Sequence, residues 1–246
     1  MTISLLPTHW RWLALLLLSL GLAAEPLRIG RSDSHSPLSD QGEALMRRVY
    51  GQLGIEVELV RLPTRRSLLL AAGGQLDAEL LRIRQIGQEH PDLLRVPIAI
   101  AQVELGAYAR PGTPVPGNWQ ALTRYRVAYM RGARFIERHL EPLPHKVEGL
   151  DSYDALRLVA TRTADIALLP RSEAAQVLAR EELSQVREVG FVSEVEPLYH
   201  YLHKRHRALL PRLNDALLRL RQQGELPDYE SPLLKANKKE NPVRDR

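Results

Sequence analysis

The chain has 246 residues, 34 Lys plus Arg against 29 Asp plus Glu, and a formal net charge of +5. A hydrophobic share of 44% with 26% charged residues of both signs excludes disorder, collagen and coiled coil as the main state. The absence of cysteine excludes disulfides, thiolate metal sites, iron–sulfur clusters, a cysteine nucleophile and a lipidated N-terminal cysteine, and leaves the redox compartment open.

Residues 1–24 read as an address. Arg11 is their sole charge, Trp12 to Leu22 is an almost unbroken apolar run, and Ala23-Ala24 precede Glu25-Pro26. That order is the order of a cleaved secretory signal peptide, and the run is shorter than a bilayer span requires. It implies a periplasmic protein beginning near Glu25. At the other end, Lys235 to Arg246 holds five basic and two acidic residues and almost nothing apolar, which predicts a disordered basic tail over 235–246. With both ends set aside, the body 25–234 carries a net charge of only +1. The basic balance therefore gives no reason to expect nucleic acid as a partner.

The body alternates strands with helices. Leu27 to Gly30 is a short strand. Ser39 or Asp40 is placed to cap a helix with Met46, Val49, Tyr50 and Leu53 on one face, closed by Gly54. Ile55 to Leu59 alternates as a half-buried strand, Thr64 opens a second helix that runs to Gly73-Gly74, and Asp77 to Ile83 is another strand. This β-α-β-α-β order predicts a parallel sheet with covering helices. The stretch Arg110 to Gly117, with three prolines and two glycines, is the strongest loop signal in the body. The pattern then restarts with a strand over Tyr125 to Met130, a helix over Ala133 to Leu140, and an Asp151-capped helix carrying Leu156, Val159 and Ala160. A strand over Asp165 to Leu169, a helix over Arg171 to Arg180 and a strand over Leu198 to Leu202 follow. The last helix, Pro211 to Gln223, has Leu210, Leu213, Leu217 and Leu220 on one stripe and ends at Gly224.

The stretches "PLRIG", "LGIEVELVRLPTRRSLLLAAGGQLDAEL", "RYRVAYMRGARF", "DSYDALRLVATRTADIALLP" and "LPRLNDALLRLRQQGEL" follow one another across nearly all of 26–229. Their ordered set resembles the periplasmic solute-binding proteins of family 3, the amino-acid and polar-solute receptors of ABC importers. The resemblance implies an α/β fold of two lobes, each a mostly parallel sheet flanked by helices and joined by a hinge. Lobe 1 would be 25–108 with the return 192–234, and lobe 2 would be 109–191. A solute would sit between them, held by hinge closure. Two features depart from the pattern. The segment "RSDSHSPLSDQG" after the first strand holds no aromatic ring, and Pro170 stands where amino-acid binders place an Asp.

The resemblance also implies site residues. Arg82, or Arg84 beside it, would clamp a ligand carboxylate, which a planar guanidinium fork suits. Ser32, Asp33, Ser34 and His35 follow the first strand, where ligands of open α/β sheets bind, although turn chemistry explains Ser and Asp equally. Thr64 and Arg65 open a helix, with Thr64 also readable as a plain cap. Arg131, Gly132 and Arg134 follow a lobe 2 strand, where glycine admits close approach to the backbone. His200, His203 and His206 are conspicuous, but residues three apart on a strand face opposite sides, so a solvated basic strand end is expected rather than a metal site. No G-x-S-x-G, H-E-x-x-H or P-loop occurs.

The expectation is a monomeric, cofactor-free binding protein, not an enzyme. It captures a small polar, carboxylate-bearing solute for an ABC permease or a membrane sensor. The alternatives are a dehydratase-like enzyme using Asp33, Glu79 or His35, and a ligandless sensor scaffold.

Overall fold

A computed structural model describes residues 25–33, 36–190 and 195–229. The expected signal segment, Ser34, His35 and the basic tail lie outside the described residues.

The first β/α unit forms as its periodicity dictates. Strand β1 (Leu27–Ser32) pairs in parallel with β2 (Val57–Leu62) and with β3 (Ala78–Ile83). Helix α1 (Pro37–Gln52) buries Met46, Val49 and Tyr50, and Gly54 closes the turn at φ +70°. Its start corrects the Ser39 or Asp40 expectation. The helix begins at Pro37, because the fixed φ of proline is ready-made for a first helical position, and Ser36 precedes it without a side-chain cap. Helix α2 (Thr64–Ala72) follows Pro63, so Thr64 is its first helical residue rather than its cap.

After a single turn of helix α3 (Ile86–Glu89) comes the longest strand, β4 (Leu93–Ala109). Periodicity does not disclose it, because its apolar run barely alternates and contains Pro97. The proline sits where the register shifts between Arg95 and Ala99, a place where a missing N–H is tolerated. The second unit comprises β5 (Val127–Met130), α4 (Arg134–Leu140), β6 (Lys146–Gly149), α5 (Ser152–Ala160), β7 (Ile166–Pro170) and α6 (Arg171–Val177). Asp151 caps α5, its carboxylate accepting from the Asp154 amide at 2.8 Å. Strands β8 (Arg187–Val189) and β9 (Val195–His203) and helix α7 (Leu210–Gln222) follow. Leu213, Leu217 and Leu220 of α7 are buried, each stabilising the fold by roughly 2 kcal/mol.

The strand order is β2-β1-β3-β9-β4-β7-β5-β6, with β8 also against β4. The outer strands of each end are parallel, and the central β3-β9-β4-β7 run is antiparallel. Strand β4 spans the molecule. Residues 93–104 pair with β9, and residues 105–109 pair with β7. Each half of the sheet carries a hydrophobic core on both faces, and Phe135 packs against a core of each half. A cleft opens where the β1 and β3 ends of one half face the β5 and β7 ends of the other.

Candidate functional site

One wall of the cleft is set by a register fault. Glu79 and Arg82 lie three apart on β3 and should face opposite ways. The β3–β9 register shifts between them, and such a bulge re-aims a side chain. Both therefore reach the same side: Arg82 Nε donates to Glu79 Oε1 at 2.8 Å, and its Nη2 donates to Glu79 Oε1 and to the Thr64 carbonyl, the latter at 2.7 Å. Ser67 Oγ donates to Glu79 Oε2 at 2.7 Å. Burial pushes the Glu79 carboxyl up, against the pull of Arg82 and Ser67. Gly30 makes room for this group, since a Cβ there would stand 2.3 Å from Ser67 Oγ and 2.6 Å from Glu79 Oε2. Next to it, buried Arg31 bonds Glu43 and Asp40 on α1. Burial raises the Glu43 carboxyl, but hydrogen bonds from Arg31 and Arg47 outweigh it and leave the group below its usual range. Among the described residues Arg82 Nη1 has no hydrogen-bond partner.

The facing wall comes from the second half. Gly132 (φ +81°) turns the chain from β5 into α4, and a Cβ there would meet Thr64 and the Arg65 amide at 3.2–3.3 Å. The two halves thus touch at this turn. The Gly132 amide donates to Glu137 Oε1 at 2.7 Å, so it is already satisfied. Arg134 reaches back across the cleft to Glu89 on α3, Nη2 to Oε2 at 2.9 Å, and also pairs with Glu137. Glu173, in the first turn of α6, accepts from Ser152 Oγ at 2.7 Å.

These walls line two neighbouring chambers. The inner one is lined by Arg31, Ser32, Thr64, Glu79 and Arg82 on one side and by Gly132, Arg134, Phe135 and Glu173 on the other. The outer one adds Asp33 and Arg65 against Arg131, Asp151, Tyr153 and Arg180. Ser32, Thr64, Met130 and Glu173 border both. Ser32 Oγ and Thr64 Oγ1 lie 2.9 Å apart at this junction.

Of the residues singled out from sequence, Ser32, Thr64, Arg82, Gly132 and Arg134 meet in the inner chamber, and Asp33, Arg65 and Arg131 meet at the outer one. Arg131 is bonded to Glu148. Arg84 is not brought in. It is exposed, donates to the Tyr199 hydroxyl at 2.7 Å and stacks toward that ring. Ser34 lies outside the described residues. Arg31, Glu79 as a partner of Arg82, Glu173, Phe135 and Tyr153 were not singled out for the binding site. Glu173 stands three residues past Pro170, so helix α6 returns a carboxylate to the wall where the sequence alone showed a proline. Tyr153 and Phe135 give the cleft rings from the second half rather than from the segment after β1.

The histidine cluster corrects the solvated-strand expectation. His200 is fully buried: its Nε2 lies 2.8 Å from the Tyr50 hydroxyl, and its Nδ1 faces the Leu80 carbonyl. Burial lowers its pKa to about 4, so the ring is neutral and Tyr50 donates to it. His206, with Arg205, bonds Asp77 instead. Burial raises the Asp77 carboxyl, but the Arg28 amide, Arg205 and His206 outweigh it and hold the group low. Among the described residues no group of His, Cys, Asp or Glu is arranged to hold a metal ion, and no helix is long and apolar enough to cross a membrane.

This is the fold of the two-lobed periplasmic binding proteins. The chain superposes on a histidine kinase sensor domain similar to periplasmic binding proteins, with a TM-score of 0.68 and 19% identity over 86% of this chain and 95% of that one. The GluR0 ligand-binding core in complex with L-glutamate gives 0.68 at 15% identity, over 80% and 93%. An ancestral arginine-binding protein bound to arginine gives 0.67 at 14% identity, over 84% and 97%. No family model matches the chain. In sequence it is 26% identical to an uncharacterized protein of Shewanella oneidensis, over 76% of this chain and 74% of the relative.

Proposed function

We propose that the chain is an exported solute-binding domain that closes on a small polar, carboxylate-bearing solute, as a monomer serving an ABC importer or a membrane sensor. The observation that carries this reading is Arg82, lining the inner chamber with Nη1 unpartnered among the described residues while Nε and Nη2 are fixed by Glu79 and Thr64. A guanidinium held on one edge offers its remaining N–H groups in a preset direction. Glu173 lines the same chamber from the other half, so a solute contacting both walls favours the closed arrangement. A division of the chain within β4, with a return over 192–234, is supported by the switch of β4 from β9 to β7, which falls between Glu104 and Leu105, four residues before the expected 108/109 boundary. The signal-like order of residues 1–24 supports export. An enzyme using Glu79 as general acid is disfavoured, because both its carboxylate oxygens are engaged.

The test is a thermal-shift screen of the purified protein against amino acids, polyamines and small organic acids. A solute at a hundred times its Kd stabilises by about 2.7 kcal/mol. The double variant Arg82→Met/Glu79→Gln removes the clamp without stranding a buried charge and should abolish the shift. A retained shift sinks the assignment to Arg82.

A further inference from the structure

Besides the polar side chains already described, the inner chamber is lined by apolar ones, among them Ile83, Ile86, Val103, Leu105, Phe135 and Leu198. These residues come from β3, α3, β4, α4 and β9, so both halves of the molecule and the strand joining them contribute to one apolar surface. Protein interiors seldom leave spaces larger than a water molecule. Here the cavity is about 130 Å³, close to the engineered cavity of about 150 Å³, lined by Leu, Ile and Phe, that admits benzene. It adjoins the outer chamber, with Ser32, Thr64, Met130 and Glu173 lining both.

We propose that the solute is a carboxylate carrying a compact apolar group of about six heavy atoms, seated against Ile83, Ile86, Val103, Leu105, Phe135 and Leu198, with the carboxylate at Arg82. This rests on the solute-binding reading above and names the class of solute. An apolar group in this position removes hydrocarbon surface from water on both sides of the cleft, and the reward grows with each carbon until the chamber is full. A polar or charged side group would find no hydrogen-bonding partner on that wall and would be disfavoured.

The test is calorimetric titration with two homologous series, the n-alkanoates from acetate to hexanoate and the 2-amino-n-alkanoates from alanine to norleucine. The expected result is a Kd that tightens about fourfold per methylene in at least one series, with hexanoate or norleucine far ahead of succinate, glutamate and arginine. Methyl NMR of the unmodified protein reads the same event without a variant. Norleucine or hexanoate should move the Ile83, Ile86, Val103, Leu105 and Leu198 methyl resonances and leave those of Leu213 and Leu217 in place. A binding succinate, glutamate or arginine with no gain along either series overturns the apolar seat while the solute-binding reading stands. Silence of every carboxylate overturns both.

Discussion

On the wall built from β1 and β3, the side chains of Arg31, Glu79 and Arg82 are 1%, 1% and 8% exposed, and every bond they make stays within their own half of the molecule. On the facing wall, Arg131 and Arg134 keep 53% and 40% of their side-chain surface in water, and Arg134 reaches across to Glu89 in the opposite half. The first wall is therefore part of the fold, since removing one member of a buried pair strands the other. The second is attached to the fold by exposed pairs that water can replace. A fixed wall against a replaceable one is the arrangement expected of a binding cleft whose halves move relative to each other.

Four perturbations test whether the two walls differ in this way. The largest effect falls on the fixed wall. Arg82→Ala leaves Glu79 buried without its counter-charge and should cost about 3–5 kcal/mol in urea unfolding. Adding Glu79→Gln should restore most of the loss. A single variant as stable as the parent would show that this wall is not structural.

Acidity tests the same half from its core. Unfolded, the His200 imidazole takes a proton near 6.5; folded, it does so only near 4. The unfolded state thus binds more protons between these values, so stability is complete above about pH 6.5 and falls as pH drops toward 4. The loss is about 3 kcal/mol, and chemical denaturation at pH 7 and pH 4.5 measures it. In His200→Phe this part of the slope should vanish, which separates it from the carboxylates.

Gly30→Ala comes third. The new methyl must displace Ser67 Oγ or the Glu79 carboxylate, an overpacking that costs roughly 1–3 kcal/mol, seen as a lowered Tm. The smallest effect on stability belongs to the replaceable wall. Arg134→Ala removes an exposed ion pair and should change unfolding free energy by less than about 1 kcal/mol, while small-angle scattering registers a larger radius of gyration from a more open cleft. An unfolding effect comparable to that of Arg82→Ala would erase the distinction between the walls.

Much of the β/α order was legible because it is local. The Met46, Val49, Tyr50 face of α1, the Asp151 cap and the leucine stripe of α7 each follow from spacing within a dozen residues. What escaped depends on partners distant in sequence. Strand β4 has no alternation because it is covered along most of its length, and its role as the strand shared by both halves is a matter of pairing with β9 and β7. Arg82 was legible by position, but the bulge that turns it beside Glu79 was not, because a register fault exists only between two strands. Glu173 was hidden by a single helical turn: the wall position after β7 holds Pro170, and the carboxylate arrives three residues later. Arg84 shows the converse, since adjacency to Arg82 in sequence places it outside the cleft against Tyr199.

A solute that bridges the two walls should draw them together. The chain contains no cysteine, so the double variant Leu69→Cys/Arg138→Cys carries spin labels at two chosen positions only, one exposed residue on α2 and one on α4. The distance distribution between them is measured with and without the solute that gives the largest thermal shift. A population that narrows and moves to the shorter distance on addition of solute is the predicted result. A bound solute that leaves the distribution unchanged would show that the two halves do not close on it.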